Sequence, residues 1–239
     1  MLWLRSAIFN ALFFVWCALV LTLSLPLGLV PRAAMRRSAQ LIAAGTMFML
    51  RHIVGLTYEV RGDLSLLQQP LLVACKHQSA WDTFIFYLLA RDPAYVMKKE
   101  LMLIPIYGWL ARKQRMIPID RKAGAGALRG LLRASEAALA ERRQIVIFPQ
   151  GTRVAPGGTA PYQPGIAALY GRLGVPVVPV ALNSGCFWPR RSFVKVPGRM
   201  VLELLPPIAP GLPKSKFMAE LESGIEAATA RLEAEARRA

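Results

Sequence analysis

Cysteine is scarce in this sequence, and the few cysteines are widely separated. Cys17, Cys75 and Cys186 are the only three, and none belongs to a Cys-x-x-Cys pair. A disulfide scaffold is therefore not expected, and a reducing compartment is favoured. We interpret the three thiols as small apolar side chains.

Acidic residues are also scarce, with 14 Asp and Glu against 30 Lys and Arg, a formal net charge of +16 over 239 residues. This balance favours an acidic partner such as nucleic acid, anionic lipid or a phosphorylated substrate. Nucleic acid is disfavoured, because zinc-finger, basic-zipper and aromatic RNA-binding signatures are all missing. The 54% hydrophobic content indicates contact with a membrane instead.

The N-terminal region contains a long uncharged segment, Ala7 to Leu25. At about 1.5 Å per residue it is long enough to cross a bilayer. It does not have the form of a cleavable signal, because only Arg5 and the terminus are positive and no small-x-small site follows. Arg32, Arg36 and Arg37 come next, and the positive-inside bias predicts that the bulk of the protein is cytoplasmic.

A second apolar segment, Ser38 to Leu56, contains Gln40, Arg51 and His52. These polar residues predict an interfacial or packed helix rather than a second span, with His52 at the membrane interface. We therefore expect residues 1–56 to form a membrane-associated helical hairpin. The sequence leaves open whether the hairpin spans the bilayer or enters one leaflet.

From residue 57 to residue 239, short β-type runs alternate with helical ones. The predicted strands are Tyr58–Val60, Leu71–Cys75, Ala94–Met97, Met116–Ile119, Ile145–Phe148, Val177–Leu182 and Val201–Leu204. The predicted helices are Thr83–Leu89, Ala125–Arg142, Ile166–Leu173 and Lys214–Arg238. Several strands are apolar throughout, as in a sheet covered on both faces, and the alternation predicts an α/β fold.

His77 and Asp82 lie where a predicted strand passes into a predicted helix. Positions five apart on a helix point about 140° away from each other. The two side chains can therefore meet only if His77 is in the loop and Asp82 in the first turn. A neutral imidazole held by a carboxylate can take a proton from an alcohol. The alternative is a capping box, with Ser79 as N-cap and Asp82 at the third helical position.

Other candidate residues follow three more predicted strands. Lys98 and Lys99 follow one strand, and Asp120 and Arg121 follow the next. The strand from Ile145 breaks into Pro149-Gln150-Gly151-Thr152-Arg153, where Pro and Gly fix a turn. Arg153 presents a planar fork suited to phosphate oxygens. Loops at the carboxyl ends of such strands commonly bind ligands.

A short apolar run, Val175 to Val180, contains two prolines and carries no chemistry of its own. Proline cannot donate a hydrogen bond to a neighbouring strand. The run therefore predicts an edge strand or the wall of a site.

Together these motifs resemble the 1-acylglycerol-3-phosphate acyltransferases. The resemblance covers roughly residues 55–210. It rests on four motifs in the family's order: His77-x-x-x-x-Asp82, then Lys98–Gly108 with Ile119-Asp120-Arg121, then Phe148–Arg153, and Val175-Pro176-x-x-Pro179. It implies a mixed, mostly parallel sheet flanked by helices, as in glycerol-3-phosphate acyltransferase. It also implies a location at the cytoplasmic face of the inner membrane.

The resemblance further implies the reaction and its residues. An acyl group would pass from acyl-CoA or acyl-acyl carrier protein to the 2-hydroxyl of lysophosphatidic acid, a membrane lipid, with no bound cofactor or metal. His77 would be the general base and Asp82 its orienting partner. The residues implied in substrate binding are Arg153, Arg121, Lys99, Gln150, Gly151 and Thr152.

One position departs from the family pattern, since Gln150 stands where the family usually has Glu. Gln keeps a hydrogen-bonding carbonyl but loses the negative charge. This departure keeps a non-catalytic lipid-binding role open as an alternative.

A histidine beside a carboxylate also occurs in hydrolases that use a nucleophile. A Ser or Cys hydrolase is disfavoured, because no G-x-S-x-G elbow is present and Cys75, two residues before His77, ends an apolar strand expected to face the core. The same acyl transfer to another lysophospholipid or a lyso-aminolipid stays open.

Overall fold

The computed structural model describes residues 1–26, 32–120 and 124–238. Its seven helices in these ranges are α1 (Leu2–Leu23), α2 (Arg32–Met49), α3 (Asp82–Leu89), α4 (Tyr107–Lys113), α5 (Ala125–Ala140), α6 (Gly165–Leu173) and α7 (Lys214–Arg238). The seven strands are β1 (Leu56–Arg61), β2 (Leu71–Cys75), β3 (Pro93–Lys98), β4 (Ile117–Ile119), β5 (Gln144–Ile147), β6 (Val177–Leu182) and β7 (Gly198–Leu204).

The strands form one sheet in the order β1-β7-β6-β2-β5-β3-β4. The five strands from β6 to β4 are mutually parallel. β7 runs antiparallel to β6, and β1 pairs parallel with β7. This mixed, mostly parallel sheet flanked by helices confirms the predicted fold class.

Alternate residues of the central strands face two separate apolar cores. Val73 and Cys75 of β2 pack into the core that also contains residues of α2, α3 and α4, whereas Leu72 and Ala74 face the core formed with α5, α6 and α7. Both faces of β2 are therefore covered, as its continuous apolar sequence predicted. Cys75 is fully buried, as expected, and burial raises the pKa of its thiol well above the ordinary value.

The prediction that Val175–Val180 forms a sheet edge is wrong, because β6 lies between β2 and β7. Residues 176 and 180 of this run accept hydrogen bonds from β2, so Pro179 faces the β7 side. The ladder with β7 begins only at Val180, which pairs with Leu204. The Pro179 carbonyl accepts from Leu205 at 2.9 Å, and Val177 exchanges hydrogen bonds with Ile208, so Pro179 lies at a break in the pairing where it acts as an acceptor only.

The two N-terminal helices form an antiparallel pair that packs on the α/β part. Trp16 of α1 donates to the Leu41 carbonyl of α2 at 3.3 Å, and Arg5 reaches the Ile53 carbonyl at 2.6 Å. In the described ranges, α1 is the one helix long and apolar enough to cross a membrane. The predicted division of the chain after residue 56 into two domains stays a prediction.

The second apolar segment is a packed helix, as one of its two interpretations proposed. α2 continues into a single π-helical turn, Leu50–Val54, and ends at Gly55, whose φ of 80° reverses the chain into β1. Ala43, Leu50 and Val54 are buried along this segment. The helix therefore supplies part of the protein core.

Candidate active site

Three neighbouring strands bring the predicted motifs to one edge of the sheet. β2, at the centre, leads into His77, β5 leads into Phe148, and β6 leads into Asn183. Since these strands are parallel, their carboxyl ends lie side by side. Residues from distant parts of the sequence therefore converge around His77.

His77 and Asp82 are in direct contact. His77 lies in the loop after β2, and its Nδ1 is 2.9 Å from Oδ2 of Asp82, the first residue of α3. The carboxylate is fully buried, and the imidazole is 12% exposed. A carboxylate can only accept, so Nδ1 carries the proton and Nε2 of the neutral ring keeps its lone pair. This geometry holds one tautomer with a basic nitrogen available to a ligand.

The capping-box prediction is wrong about where the helix begins. Trp81, not Ser79, occupies the N-cap position, and Asp82 is the first helical residue. The Asp82 Oδ2 atom accepts backbone N–H groups of Gln78 at 2.7 Å and Ser79 at 2.8 Å. Because the loop wraps around the carboxylate, residues 78 and 79 are drawn into a turn rather than a helix.

A serine that the sequence did not point to completes the partners of Asp82. Ser184, in the turn after β6, donates its hydroxyl to Oδ1 of Asp82 at 2.5 Å. Ser184 is fully buried. With this bond, both oxygens of the carboxylate are occupied, and its rotation relative to the His77 ring is fixed.

The turn after β5 packs directly on the histidine. The Phe148 ring stacks on the His77 ring with centroids 4.0 Å apart. Gly151 closes the turn by donating to the Phe148 carbonyl at 2.8 Å, with a φ of 67° that favours glycine. The Val154 N–H then bonds to the His77 carbonyl at 2.8 Å. The third motif therefore forms one wall of the site.

Arg153, on this turn, is a half-buried cation. Its pKa is lowered chiefly because burial penalises the charge; the Asp82 carboxylate acts in the opposite direction and the neighbouring Arg190 in the same one. Within the described ranges, Asp82 is the carboxylate that acts on this guanidinium, and its direct charge contact is with His77 instead. Arg190 donates to Thr152 Oγ1 at 3.4 Å and to the Arg153 carbonyl at 3.3 Å. Two guanidinium groups are thus available to an anion.

Lys99 and Asp120 of the second motif lie farther along the same edge. Lys99 follows β3, two strands from β2, and at about 4.8 Å per strand this is roughly 10 Å from His77. Lys99 is 64% exposed and lies 3.2 Å from the Asp120 carboxylate. The predicted Arg121 lies outside the described residues. The structure therefore does not bring Lys99 into contact with His77.

Comparison with known proteins identifies the family of this chain. The sequence profile of the acyltransferase family matches residues 57–183. A 1-acyl-sn-glycerol-3-phosphate acyltransferase of Pseudomonas aeruginosa is 32% identical over 181 residues, covering 76% of this chain and 70% of that protein. This chain belongs to the acyltransferase family. The predicted resemblance is confirmed, and so is its assignment as an acyltransferase enzyme.

More distant relatives extend the comparison. The coconut 1-acyl-sn-glycerol-3-phosphate acyltransferase is 28% identical over 72% of this chain and 56% of its own length. The crystal structure of the acyltransferase PlsC from Thermotoga maritima matches with a TM-score of 0.73 at 19% identity, covering 96% of this chain and 98% of that one. At that identity the structural match supports the acyltransferase fold alone.

Gln78, the residue after His77, is held by residues that are distant in sequence. Gln78 donates to Glu233 of α7 at 2.6 Å and accepts from the Gly185 N–H at 3.1 Å. A side chain at Gly185 would lie 2.9 Å from Gln78 Cβ, so only glycine fits there.

Within the described ranges, no group of three or more His, Cys, Asp or Glu side chains is placed to hold a metal ion.

Gln150, the position that departs from the family pattern, points into the protein. It is 3% exposed, and its Nε2 donates to Glu226 of α7 at 3.3 Å. Glu226 also pairs with the buried Lys76, the residue before His77. A link between the first and third motifs thus runs through the C-terminal helix.

Proposed function

We propose that this acyltransferase moves a fatty acyl group from an acyl thioester to the 2-hydroxyl of 1-acylglycerol-3-phosphate, producing phosphatidic acid. The observation that carries the proposal is the His77–Asp82 contact, in which Nε2 remains free to accept a proton. The two-guanidinium wall beside it suits a phosphorylated acceptor. The names of the acyltransferase relatives support the same acceptor.

In the proposed reaction His77 is the general base. Its Nε2 takes the proton of the acceptor's 2-hydroxyl while the oxygen attacks the thioester carbonyl. The carbon–sulfur bond then breaks, and the imidazolium returns the proton to the departing thiolate. Asp82 keeps Nδ1 protonated and stabilises the imidazolium, so neither a protein nucleophile nor a metal takes part.

The acceptor's phosphate would bind beside the third-motif turn. Arg153 is half-buried, and a dianionic phosphate would offset the burial of its charge. Arg190 lies against the same turn and would provide a second donor fork. Gly151 and Thr152 place these groups, and Lys99 and Arg121 stay proposed substrate-binding residues.

The site would lie at a membrane surface, with α1 embedded in one leaflet. The N-terminal half of α1 contacts the α/β part through three aromatic pairs. Trp3 packs on Phe193 and Phe9 on Trp188, with ring centroids 5.2 and 5.4 Å apart, and Phe13 packs on Phe84 at 5.8 Å. A helix held this way lies along the protein rather than extending away from it.

The orientation follows from the start of α2. Arg32 pairs at 2.7 Å with Asp92, which precedes β3 and so lies at the sheet edge opposite the site. The ion pair holds the positive flank on the side of the membrane where the α/β part lies. We propose the cytoplasmic face of the inner membrane for that side.

The acyl donor would be acyl-CoA or acyl-acyl carrier protein. An apolar cavity of about 220 Å³ lies between α1, α2, α3 and α4. Leu21, Ile42, Phe84 and Leu110 are among its lining residues, and Phe84 belongs to the helix that begins at Asp82. The cavity would accept part of an acyl chain.

The first test compares the two histidines of the chain. His77→Ala is expected to lower kcat by about 10²–10⁴-fold, the usual contribution of general-base catalysis, with the fold retained. His52→Ala removes an exposed ring that packs at a tilt against Phe48, and should leave kcat unchanged. Product is followed with labelled acyl-CoA or acyl carrier protein and lysophosphatidic acid.

A panel of lysolipid acceptors in the same assay defines the substrate. The highest kcat/KM is expected with lysophosphatidic acid. Full activity of His77→Ala, or faster turnover of an acceptor without a terminal phosphate, would contradict the proposal.

A further inference from the structure

The third-motif glutamine belongs to a polar cluster that is buried except for Glu226, whose side chain is 26% exposed, and that the proposed reaction does not use directly. Lys76 is 1% exposed, and its Nζ is 2.5 Å from Oε2 of Glu226. The other oxygen of Glu226, Oε1, accepts from Gln150 Nε2 at 3.3 Å and from the Tyr162 hydroxyl at 2.9 Å. One carboxylate from α7 thus joins the first motif to the third.

The charges of this cluster are balanced. Lys76 is cationic, Glu226 anionic, and Gln150 and Tyr162 are neutral; burial, with the Glu226 charge, raises the pKa of Tyr162 and keeps its phenol protonated. Glu226 is the only carboxylate of the described residues that pairs with Lys76. A buried lysine without an anion beside it would be strongly destabilising.

A glutamate at position 150 would disturb this balance. It would place a second carboxylate against Glu226, with a single lysine between them. Like charges at hydrogen-bonding distance cannot both ionise without cost, so the pKa of one would rise. The neutral amide of Gln150 instead donates to Glu226.

We infer that Glu226 of α7 supplies the one negative charge that balances Lys76 between the first and third motifs, and that position 150 is a neutral glutamine because a second carboxylate there would have no cation of its own. Glu226 is a positioning residue: it holds Lys76, next to His77, against the turn that carries Arg153. The inference rests on the proposed function, because it assigns the new role within the same site.

The position of Lys76 shows how the cluster would act on the base. The Lys76 N–H donates to the Val180 carbonyl at 2.9 Å, and the following residue is His77. On the other side, Gln150 immediately precedes Gly151, which closes the turn stacked on the His77 ring. Losing the Glu226 charge would loosen both walls of the site together.

The test is a charge-relocation cycle in the full-length protein in vesicles. It compares the unmodified chain with Gln150→Glu, Glu226→Gln and the double variant. Each single variant is expected to lower kcat at least about tenfold. Gln150→Glu adds a negative charge to the cluster, and Glu226→Gln removes the one that is there. The double variant restores one carboxylate beside Lys76 and should recover to within a few-fold of the unmodified chain.

The pH dependence distinguishes charge balance from simple packing. In Gln150→Glu, lowering the pH protonates one of the paired carboxyls and returns the cluster to its original charge. The activity of this variant relative to the unmodified chain should therefore rise as the pH falls. The other titratable groups that act on Tyr162, Glu222 and Cys75, are present in all four proteins. Glu222→Gln, an exposed carboxylate one turn away on α7, is the matched control and should be unchanged.

Thermal unfolding midpoints are also measured for the four proteins of the cycle. The same comparison can then be made on stability, which does not depend on enzymatic activity. Failure of the unmodified chain to make product would contradict the proposed function. The differences in unfolding midpoint among the four proteins would still test the role of Glu226. A double variant no better than the worse single one, or one that fails to fold, would overturn the inference. So would a Gln150→Glu variant as active as the unmodified chain at every pH.

Discussion

At the scale of single residues, the orientation of the Asp82 carboxylate is fixed by several hydrogen-bond donors. Its carboxylate accepts from the His77 ring, two backbone N–H groups and the Ser184 hydroxyl. A buried carboxylate with so many donors keeps one orientation, and the imidazole follows it. The side chains that bond to Asp82 are those of His77 and Ser184. Substituting Ser184 therefore tests the orientation of the carboxylate while keeping the histidine.

Ser184→Ala should therefore lower kcat by about tenfold and reduce stability, since an unsatisfied buried acceptor costs about 1–3 kcal/mol. The matched control is Ser135→Ala on α5. Ser135 is also fully buried, but its hydroxyl has no hydrogen-bond partner among the described residues. The control should leave kcat unchanged and the unfolding midpoint equal or higher. Equal losses of kcat in both variants would count against a role for Ser184.

Residue-level prediction succeeded where a motif was local and failed where partners were distant. His77 and Asp82 are five positions apart, so helix geometry alone predicted that they meet only if His77 lies in the loop and Asp82 in the first helical turn. Ser184 is 102 positions from Asp82, and Glu226 is 150 positions from Lys76. A single sequence contains no signal that pairs such residues. The isolated Lys before His77 was a visible cue, because a buried lysine needs an anion.

At the scale of elements, apolar runs predicted all seven strands to within a few residues, because buried parallel strands have few sequence alternatives. Helix α4 was missed. Its residues follow Pro105 in an apolar stretch, and the helix has only seven residues, too short for a periodic pattern. The place of Pro179 was also misjudged, since its neighbours depend on where β7 ends.

Helix α1 presents two different faces, and substitutions on each should have different effects. Phe14, Val15 and Leu19 are 68%, 63% and 49% exposed, whereas Phe9 is fully buried. Replacing the three exposed residues by Gln should lower vesicle partitioning at least about tenfold, because each apolar side chain contributes about 1.5–3 kcal/mol. The unfolding midpoint should not change.

Phe9→Ala is the control for the opposite face of α1. It should lower the unfolding midpoint, at a cost of about 3–5 kcal/mol, because it leaves a cavity in the main core. Flotation with lipid vesicles measures partitioning, and thermal unfolding measures stability. Unchanged partitioning of the triple Gln variant would rule out membrane insertion through this face.

At the scale of the whole molecule, the net charge of +16 has a kinetic consequence. Acyl-CoA and acyl carrier protein are both acidic, and a positive field raises the encounter rate of an acidic donor. Salt screens this attraction, since the Debye length falls from about 10 Å at 0.1 M to about 3 Å at 1 M. The value of kcat/KM for acyl-CoA should therefore fall several-fold as ionic strength rises over this range.

The control is an uncharged donor, an acyl thioester of N-acetylcysteamine. Its kcat/KM should show no such fall in the same zwitterionic vesicles, with the acceptor saturating. Measuring both donors separates steering of the donor from effects of salt on the protein or the acceptor. If kcat/KM fell equally for the two thioesters, the positive charge would act on the membrane or the phosphate of the acceptor, and not on the approach of the donor.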